Sequence, residues 1–266
     1  MIQYLTFVVQ IILTHEETNY TPSISRFIHH AIELCLGQKR ARLSGRNCLY
    51  LFRPSVQTIV TKYLNGRSIQ DAANWMDELR DDHSYDYLKP YHYVNFDKGV
   101  KVVNHEGDNI IFRLTQTIQE LKNYKNLSDE DVKMKICIIF HLVGDLHQPL
   151  HVGFGTDKGG NTQQINYNGK GTNLHSFFDS GIINARNISL SDCLALNTYS
   201  KHQIKRLGKI NTVKWAKESR SYLPTIYDYK SNVIPETYVD TQAPIIKKQL
   251  LNAGLRLTAV LTAIFG

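Results

Sequence analysis

The sequence predicts an all-α fold, one multi-helix domain running from residue 54 to the end with a single short loop or hairpin insertion. Three observations carry this. Apolar residues recur at helical spacing from Pro54 onward. Helix start and stop residues separate those runs. Only one stretch, Gly153 to Thr172, is rich enough in Gly, Asn and Thr to read as an extended loop. The 266 residues are 42% hydrophobic and 21% charged, which allows a packed core and excludes disordered or collagen-like chains.

Val56, Ile59, Val60 and Tyr63 form the first helical stripe, with Gly66 as its stop. Ser68 with Asp71 reads as a capping box for the next helix, whose apolar face is Ala72, Ala73, Met76 and Leu79. A third helix is expected from Asn109 to Tyr124. Ser128 caps a long helix with Ile136, Ile139, Phe140 and Val143 on its buried side, and Pro149 ends it. Within the Gly/Asn/Thr-rich stretch a short hairpin is expected around Gln164 to Lys170, and a further helix from about Asn173. Ala243 to Ile264 forms an amphipathic helix that closes the core.

The formal net charge of +7 suits a polyanionic partner such as nucleic acid or an anionic membrane, although many basic proteins bind neither. The four cysteines, Cys35, Cys48, Cys137 and Cys193, include no Cys-x-x-Cys pair, so no thiolate zinc knuckle is suggested. Cys137 lies in an apolar run and is expected to be a buried free thiol. No stretch is long and apolar enough to span a membrane. Tyr4 to Leu13 has the length of a signal-peptide core but lacks a preceding Lys or Arg and a clear cleavage site.

Among eleven histidines the spacing is informative. His141 and Asp145 lie four apart on the long helix, and His175 and Asp179 repeat that spacing, so each pair projects from one helix face. His151 follows Pro149, while Asp77 and His92 lie upstream. Imidazole and carboxylate are the common non-thiolate zinc ligands. Two such pairs in a helical bundle can hold two metals, as in carboxylate-bridged sites. One pair alone reads more readily as a surface hydrogen bond than as a metal site.

The run His141-Leu-Val-Gly-Asp145-Leu-His147-Gln-Pro-Leu-His151 resembles the signature of the S1/P1 nuclease family, zinc-dependent enzymes acting on single strands. Gly159-Gly160-Asn161, then Asn173-Leu174-His175-Ser-Phe-Phe178-Asp179, Trp75-Met76-Asp77-Glu-Leu-Arg80 and His92-Tyr93-Val94-Asn95 resemble it as well, and Gln249 to Leu261 is similar to the family's last helix. The resemblance covers residues 54–266 and implies a trinuclear zinc cleft. It implies that Asp77, His92, His141 and Asp145 hold one zinc, and that His151, His175 and Asp179 hold another. Asp145 would bridge to a third, whose other family ligands are an N-terminal Trp and a His five residues later. His147 matches the motif without being a ligand, which implies a structural hydrogen bond. Arg80 is implied to neutralise charge on the phosphate in the transition state, the other reading being a helix-surface salt bridge. Tyr93 is implied to stack a nucleobase and Asn95 to read its edge; packing is the alternative for Tyr93.

The implied activity is hydrolysis of single-stranded DNA or RNA and of 3′-nucleotides to 5′-phosphates, by a secreted or periplasmic monomer without a stable protein partner. The alternatives are a zinc phospholipase C, which shares the fold, and a non-catalytic zinc-binding relative. Residues 1–53 do not match the family: the chain's two Trp residues are Trp75 and Trp215, and His15, His29 and His30 are not in the family's N-terminal motif. A frameshift is compatible with this. Codons can be chosen for Leu36-Gly37-Gln38-Lys39-Arg40-Ala41-Arg42 that read, one nucleotide later, as Trp-Gly-Lys-Asn-Gly-His. The chain as written is therefore expected to hold two zinc ions and to have little nuclease activity.

Overall fold

The structure is a computed structural model that describes residues 54–266. The expectations for Tyr4 to Leu13, His15, His29, His30, Cys35, Cys48 and the frameshift lie outside the described residues. The fold is all-α apart from one two-stranded hairpin.

Helices α1 (Pro54–Leu64) and α2 (Ile69–Glu78) are separated by Asn65 and Gly66, both at positive φ. Ser68 caps α2 by accepting the Asp71 amide, and Ala72, Ala73 and Met76 are buried. A long 3₁₀ segment, His83–His92, follows. Asn109 caps α3 (Ile110–Leu121) and Ser128 caps α4 (Asp129–His147). Helix α4 is the axis of the molecule, packing against α1, α2 and α3. Its burial is wider than the one-sided stripe read from Ile136, Ile139, Phe140 and Val143, because every residue from Ile136 to His147 is buried. A helix enclosed on all sides has no solvent face, so His141 and Asp145 enter the core as polar groups that need partners.

After α4 the chain makes a 3₁₀ turn, Pro149–Val152, and then strands β1 (Gln164–Tyr167) and β2 (Lys170–Asn173), antiparallel with Tyr167 opposite Lys170. The expected helix from Asn173 is present in three parts: α5 (Leu174–Ser176), a π turn (Phe177–Gly181) and α6 (Ile182–Ala185). Short helices α7 (Leu190–Ala195), α8 (Lys201–Leu207), α9 (Thr212–Arg220) and α10 (Leu223–Ile226) lead to α11 (Glu236–Phe265). Helix α11 packs on α1, α3 and α4 and, on its other sides, on α6, α7 and α8.

The closing helix begins at Glu236, well before the expected Ala243, and runs through Pro244. Proline normally marks a helix boundary because it removes an amide donor and crowds the preceding turn. Tertiary contacts override it here. Arg186 binds Asp240 at 2.8 Å and the Glu236 carbonyl at 3.0 Å, and the Tyr238 hydroxyl donates to the Ile226 carbonyl at 2.6 Å. These bonds hold the turns before Pro244 in place. Cys137 and Cys193 are buried and free, and burial pushes both thiols up to about 12, so neither is a thiolate at neutral pH.

Candidate metal centre

Three elements bring four residues together at the C-terminal half of α4. Asp77 comes from the last turn of α2, His92 from the end of the 3₁₀ segment, and His141 and Asp145 from α4. His92 Nδ1 lies 2.9 Å from Asp145 Oδ2 and 2.9 Å from His141 Nε2, and His141 Nε2 lies 3.2 Å from Asp145 Oδ2. Asp77 Oδ1 stands 3.9 Å from His141 Nε2. Ligand atoms about 2.0–2.2 Å from a tetrahedral zinc are separated by roughly 3.4 Å, and the four distances straddle that value.

The second group is built by the turn after α4 and by α5 with its π turn. His151 Nε2 lies 3.7 Å from Asp179 Oδ1, and His175 Nε2 lies 3.7 Å from Asp179 Oδ2. In each of the sets Asp77, His92, His141 and His151, His175, Asp179, one ligand atom per residue falls within 4.8 Å of the others. The Asp145 carboxylate stands between the sets, with Oδ2 3.6 Å from His151 Nδ1. The sequence-derived residues are thus brought together in one place.

The imidazole tautomers follow from the backbone. His141 Nδ1 faces the Ala73 carbonyl at 2.7 Å, His151 Nδ1 the His92 carbonyl at 2.7 Å, and His175 Nδ1 the Gly159 carbonyl at 2.8 Å. A carbonyl only accepts, so each Nδ1 carries the hydrogen and each neutral ring presents a bare Nε2 lone pair to the carboxylates. That is the arrangement of metal-ligating histidine. Glycine makes the third of these bonds possible. Gly159 has φ +61°, and a Cβ there would lie 2.3 Å from the Leu150 carbonyl oxygen, so only glycine lets this loop press against the 149–152 turn.

The residues fit a cation. Asp145 Oδ1 and His151 Nε2 are buried with no hydrogen-bond partner among the described residues. Each such atom costs about 1–3 kcal/mol, which coordination would offset. Although burial opposes its charge, neighbouring His141 and His151 hold the Asp145 carboxyl far below the usual carboxylate range. Asp179, against the same opposition from burial, is held down at about 2 by His151 and His175. For His151, burial again opposes charge, but Asp145 and Asp179 push the imidazolium up to about 9. Burial lowers both His92 and His175.

A metal ligand must be neutral imidazole, so an ion taken up at His151 would displace a proton throughout the neutral range. Because the His151 value is raised, apparent affinity is expected to rise with pH up to about 9 and level off above, roughly tenfold per unit while one proton is displaced. Asp179 sets no limit above about pH 3, since its value is depressed. Competition with a chromophoric chelator at several pH values checks this; a flat dependence contradicts it.

Residues missed in the sequence support both groups. Gln148 donates from Nε2 to Asp179 Oδ1 at 2.8 Å and accepts the Leu150 amide through Oε1, orienting the carboxylate from the turn that carries His151. Arg220 gathers four carbonyls: Nη1 binds those of Val152 and Gly153 at 2.8 and 2.5 Å, and Nη2 those of Phe96 and Asp97 at 2.7 and 3.0 Å. The Val94 amide adds a bond to the His151 carbonyl at 2.9 Å. The segment after His92 is thereby fastened to the turn carrying His151. Tyr93 and Asn95 leave that extended segment on the side opposite buried Val94, Tyr93 half exposed and Asn95 half buried. An arginine between two serines carries no sequence signal for such a role, and neither does a glutamine beside a proline.

His147 faces away from the two groups. It bonds the Val143 carbonyl through Nδ1 and Arg256 Nη1 through Nε2 at 2.7 Å, and burial together with Arg256 holds it well below its ordinary range. This is the structural hydrogen bonding expected of it. Arg80 stands at the rim, 61% exposed, with Nη2 2.9 Å from Asp77 Oδ1. The structure therefore contains the salt bridge that was its alternative reading, made to a residue of the first group.

An all-α scaffold whose buried central helix joins two His/Asp groups defines a helical protein with a candidate multinuclear metal centre. The S1/P1 nuclease family matches residues 50–266, and the chain belongs to that family. It is therefore a nuclease, a hydrolase of phosphodiester bonds whose substrates are nucleic acids. The chain is similar to Endonuclease 2 of Arabidopsis thaliana, 26% identical over 72% of this chain and 76% of that protein. It is also similar to Endonuclease 5 of the same plant, 26% identical over 79% of this chain and 82% of the relative. Nuclease S1 of Aspergillus oryzae is 24% identical over 74% of this chain and 79% of its own length.

Proposed function

We propose that the protein is a zinc-dependent hydrolase that cuts single-stranded DNA and RNA, leaving 5′-phosphate ends, and removes the phosphate of 3′-nucleotides as inorganic phosphate. The observation that carries this reading is the set of three imidazoles with Nδ1 committed to backbone carbonyls and Nε2 turned towards buried carboxylates. Asp77, His92, His141 and Asp145 would hold one zinc, and His151, His175 and Asp179 would hold the other. Their donor set, all nitrogen and oxygen with no thiolate, suits zinc. When bound, zinc supplies Lewis-acid chemistry that makes water a nucleophile near neutral pH and offsets charge on phosphoryl oxygens.

The chain's own residues orient the reaction. The ester is held so that water approaches phosphorus opposite the 3′ oxygen; the bond to that oxygen breaks, and the phosphate stays on the 5′ side. Arg80, tethered by Asp77 and open to solvent, offsets the charge that grows on the phosphoryl oxygens. Asn95 reads the base edge, and Tyr93 stacks the base, a contact available only when the base is unpaired. Asp145 would also face a third ion, but no Trp lies in residues 1–53, so two ions and low activity are proposed for this chain as written. A secreted or periplasmic location and a monomeric state belong to the same proposal through the family.

The test is cleavage of single-stranded against duplex DNA, with end-group analysis of the products and phosphatidylcholine as the competing substrate. The proposal expects single strands to be cut far faster than duplex and 5′-phosphate ends to appear. Equal rates on both forms, or turnover of lipid alone, contradict it. Tyr93→Ala is expected to raise KM for nucleotides by roughly 5- to 150-fold, the range for losing one base stack of about 1–3 kcal/mol, with bound zinc unchanged.

A further inference from the structure

The segment 201–217, covering α8 and most of α9, carries Lys201, Lys205, Arg206, Lys209, Lys214 and Lys217 and no acidic residue. All six are exposed. None of them makes an ion pair among the described residues, whereas Arg67, Lys89, Arg113, Lys135 and Arg186 each pair with an Asp or Glu. Arg206, Lys209 and Lys214 open on one cavity of about 270 Å³ between α8 and α9.

The floor of that cavity is Trp215 and Arg256. Arg256 is not the source of its charge, because Nη2 pairs with Glu218 and Nη1 bonds neutral His147. The rim cations have no such partner. The positive potential therefore belongs to the mouth of the cavity and to the ridge around it. A concave, cation-rimmed surface whose one acid, Glu218, is already paired with Arg256 concentrates polyanions.

This face is distinct from the metal centre. Asp145 and His147 are two residues apart on α4, about 200° around its axis, and Asp145 faces the metal groups while His147 faces Arg256. The structure assigns to the α8–α9 face a second, non-catalytic site for the phosphodiester backbone of single-stranded nucleic acid. The assignment rests on the nucleic-acid substrate proposed above. Its concavity favours a flexible strand over a flat anionic membrane. A strand held there raises the local concentration of its other phosphodiesters at the catalytic cleft, so long substrates gain and short ones do not.

The test uses the full chain and a variant with Lys205, Arg206, Lys209 and Lys214 each replaced by Gln. A control variant has Lys62, Lys122, Lys125 and Lys133 replaced by Gln, which removes equal charge elsewhere. Binding of a fluorescent, hydrolysis-resistant 2′-O-methyl phosphorothioate strand of about 30 nucleotides is followed by anisotropy against salt. Each lost phosphate contact lowers the slope of log affinity against log salt by about 0.7, so the α8–α9 variant is expected to lose about 2–3 in slope and at least tenfold in affinity near 0.1 M salt. KM for long single-stranded DNA rises in parallel, while KM for a dinucleotide stays within twofold. Unchanged binding in the α8–α9 variant overturns the assignment, and so does an equal loss in the control. Loss of binding to phosphatidylserine vesicles with strand binding intact assigns the face to a membrane and overturns it as well. Patch-dependent strand binding by a parent chain that cleaves no nucleic acid removes the catalytic proposal and leaves this one standing.

Discussion

Asp145→Asn is expected to lower kcat/KM on single-stranded DNA by at least about 1000-fold, roughly 4 kcal/mol of transition-state stabilisation, without unfolding the chain. The carboxylate touches both groups: His92 at 2.9 Å, His141 at 3.2 Å and His151 at 3.6 Å. The amide has the same shape but no charge. Zinc content should fall with activity, since the loss acts through the metal groups and not through the fold. Near-UV circular dichroism and metal analysis of the variant check both halves. A variant retaining full zinc and full activity would remove Asp145 from the centre.

Arg80→Ala carries the second large effect, expected as a fall of about 10²–10³-fold in kcat with little change in KM. The guanidinium is 61% exposed, so its ion pair with Asp77 adds at most about 1 kcal/mol to stability. A role confined to that salt bridge predicts a small change in zinc affinity and near-normal kcat. A role at the phosphate predicts the large fall in kcat with zinc unchanged, and partial rescue by Arg80→Lys, which keeps the charge but loses the two-pronged donor. Steady-state kinetics beside metal analysis separates the two readings.

The parts of this protein legible in its sequence are those governed by local chemistry. Ser68 and Ser128 cap the helices they were expected to cap, because capping depends on a side chain three residues from its target, and Asn109, expected only as the first residue of its helix, caps it as well. The His141/Asp145 pair was legible because helical spacing puts positions four apart on one face. The second pair proved closer to the limit: His175 and Asp179 are joined by a π turn, which nothing in Ser-Phe-Phe announces, yet their ligand atoms still approach to 3.7 Å. What was not legible depends on partners far along the chain. Helix α11 continues through Pro244 because Arg186 and Ile226 hold its first turns. Arg220 binds carbonyls more than sixty residues away, and Gln148 meets Asp179 across thirty-one. The burial of α4 on all sides from Ile136 to His147 could not be read either, since an amphipathic stripe and an enclosed helix differ in what surrounds them.

The central claim is that two His/Asp groups are zinc sites joined at Asp145. Crystals of the full chain grown with zinc, measured by anomalous diffraction on both sides of the zinc absorption edge, test it most directly. The account predicts one anomalous peak among Asp77, His92, His141 and Asp145 and another among His151, His175 and Asp179, each about 2.0–2.2 Å from its ligand atoms. A zinc-saturated crystal with no peak at either group, or with zinc bound only by residues outside them, would contradict it.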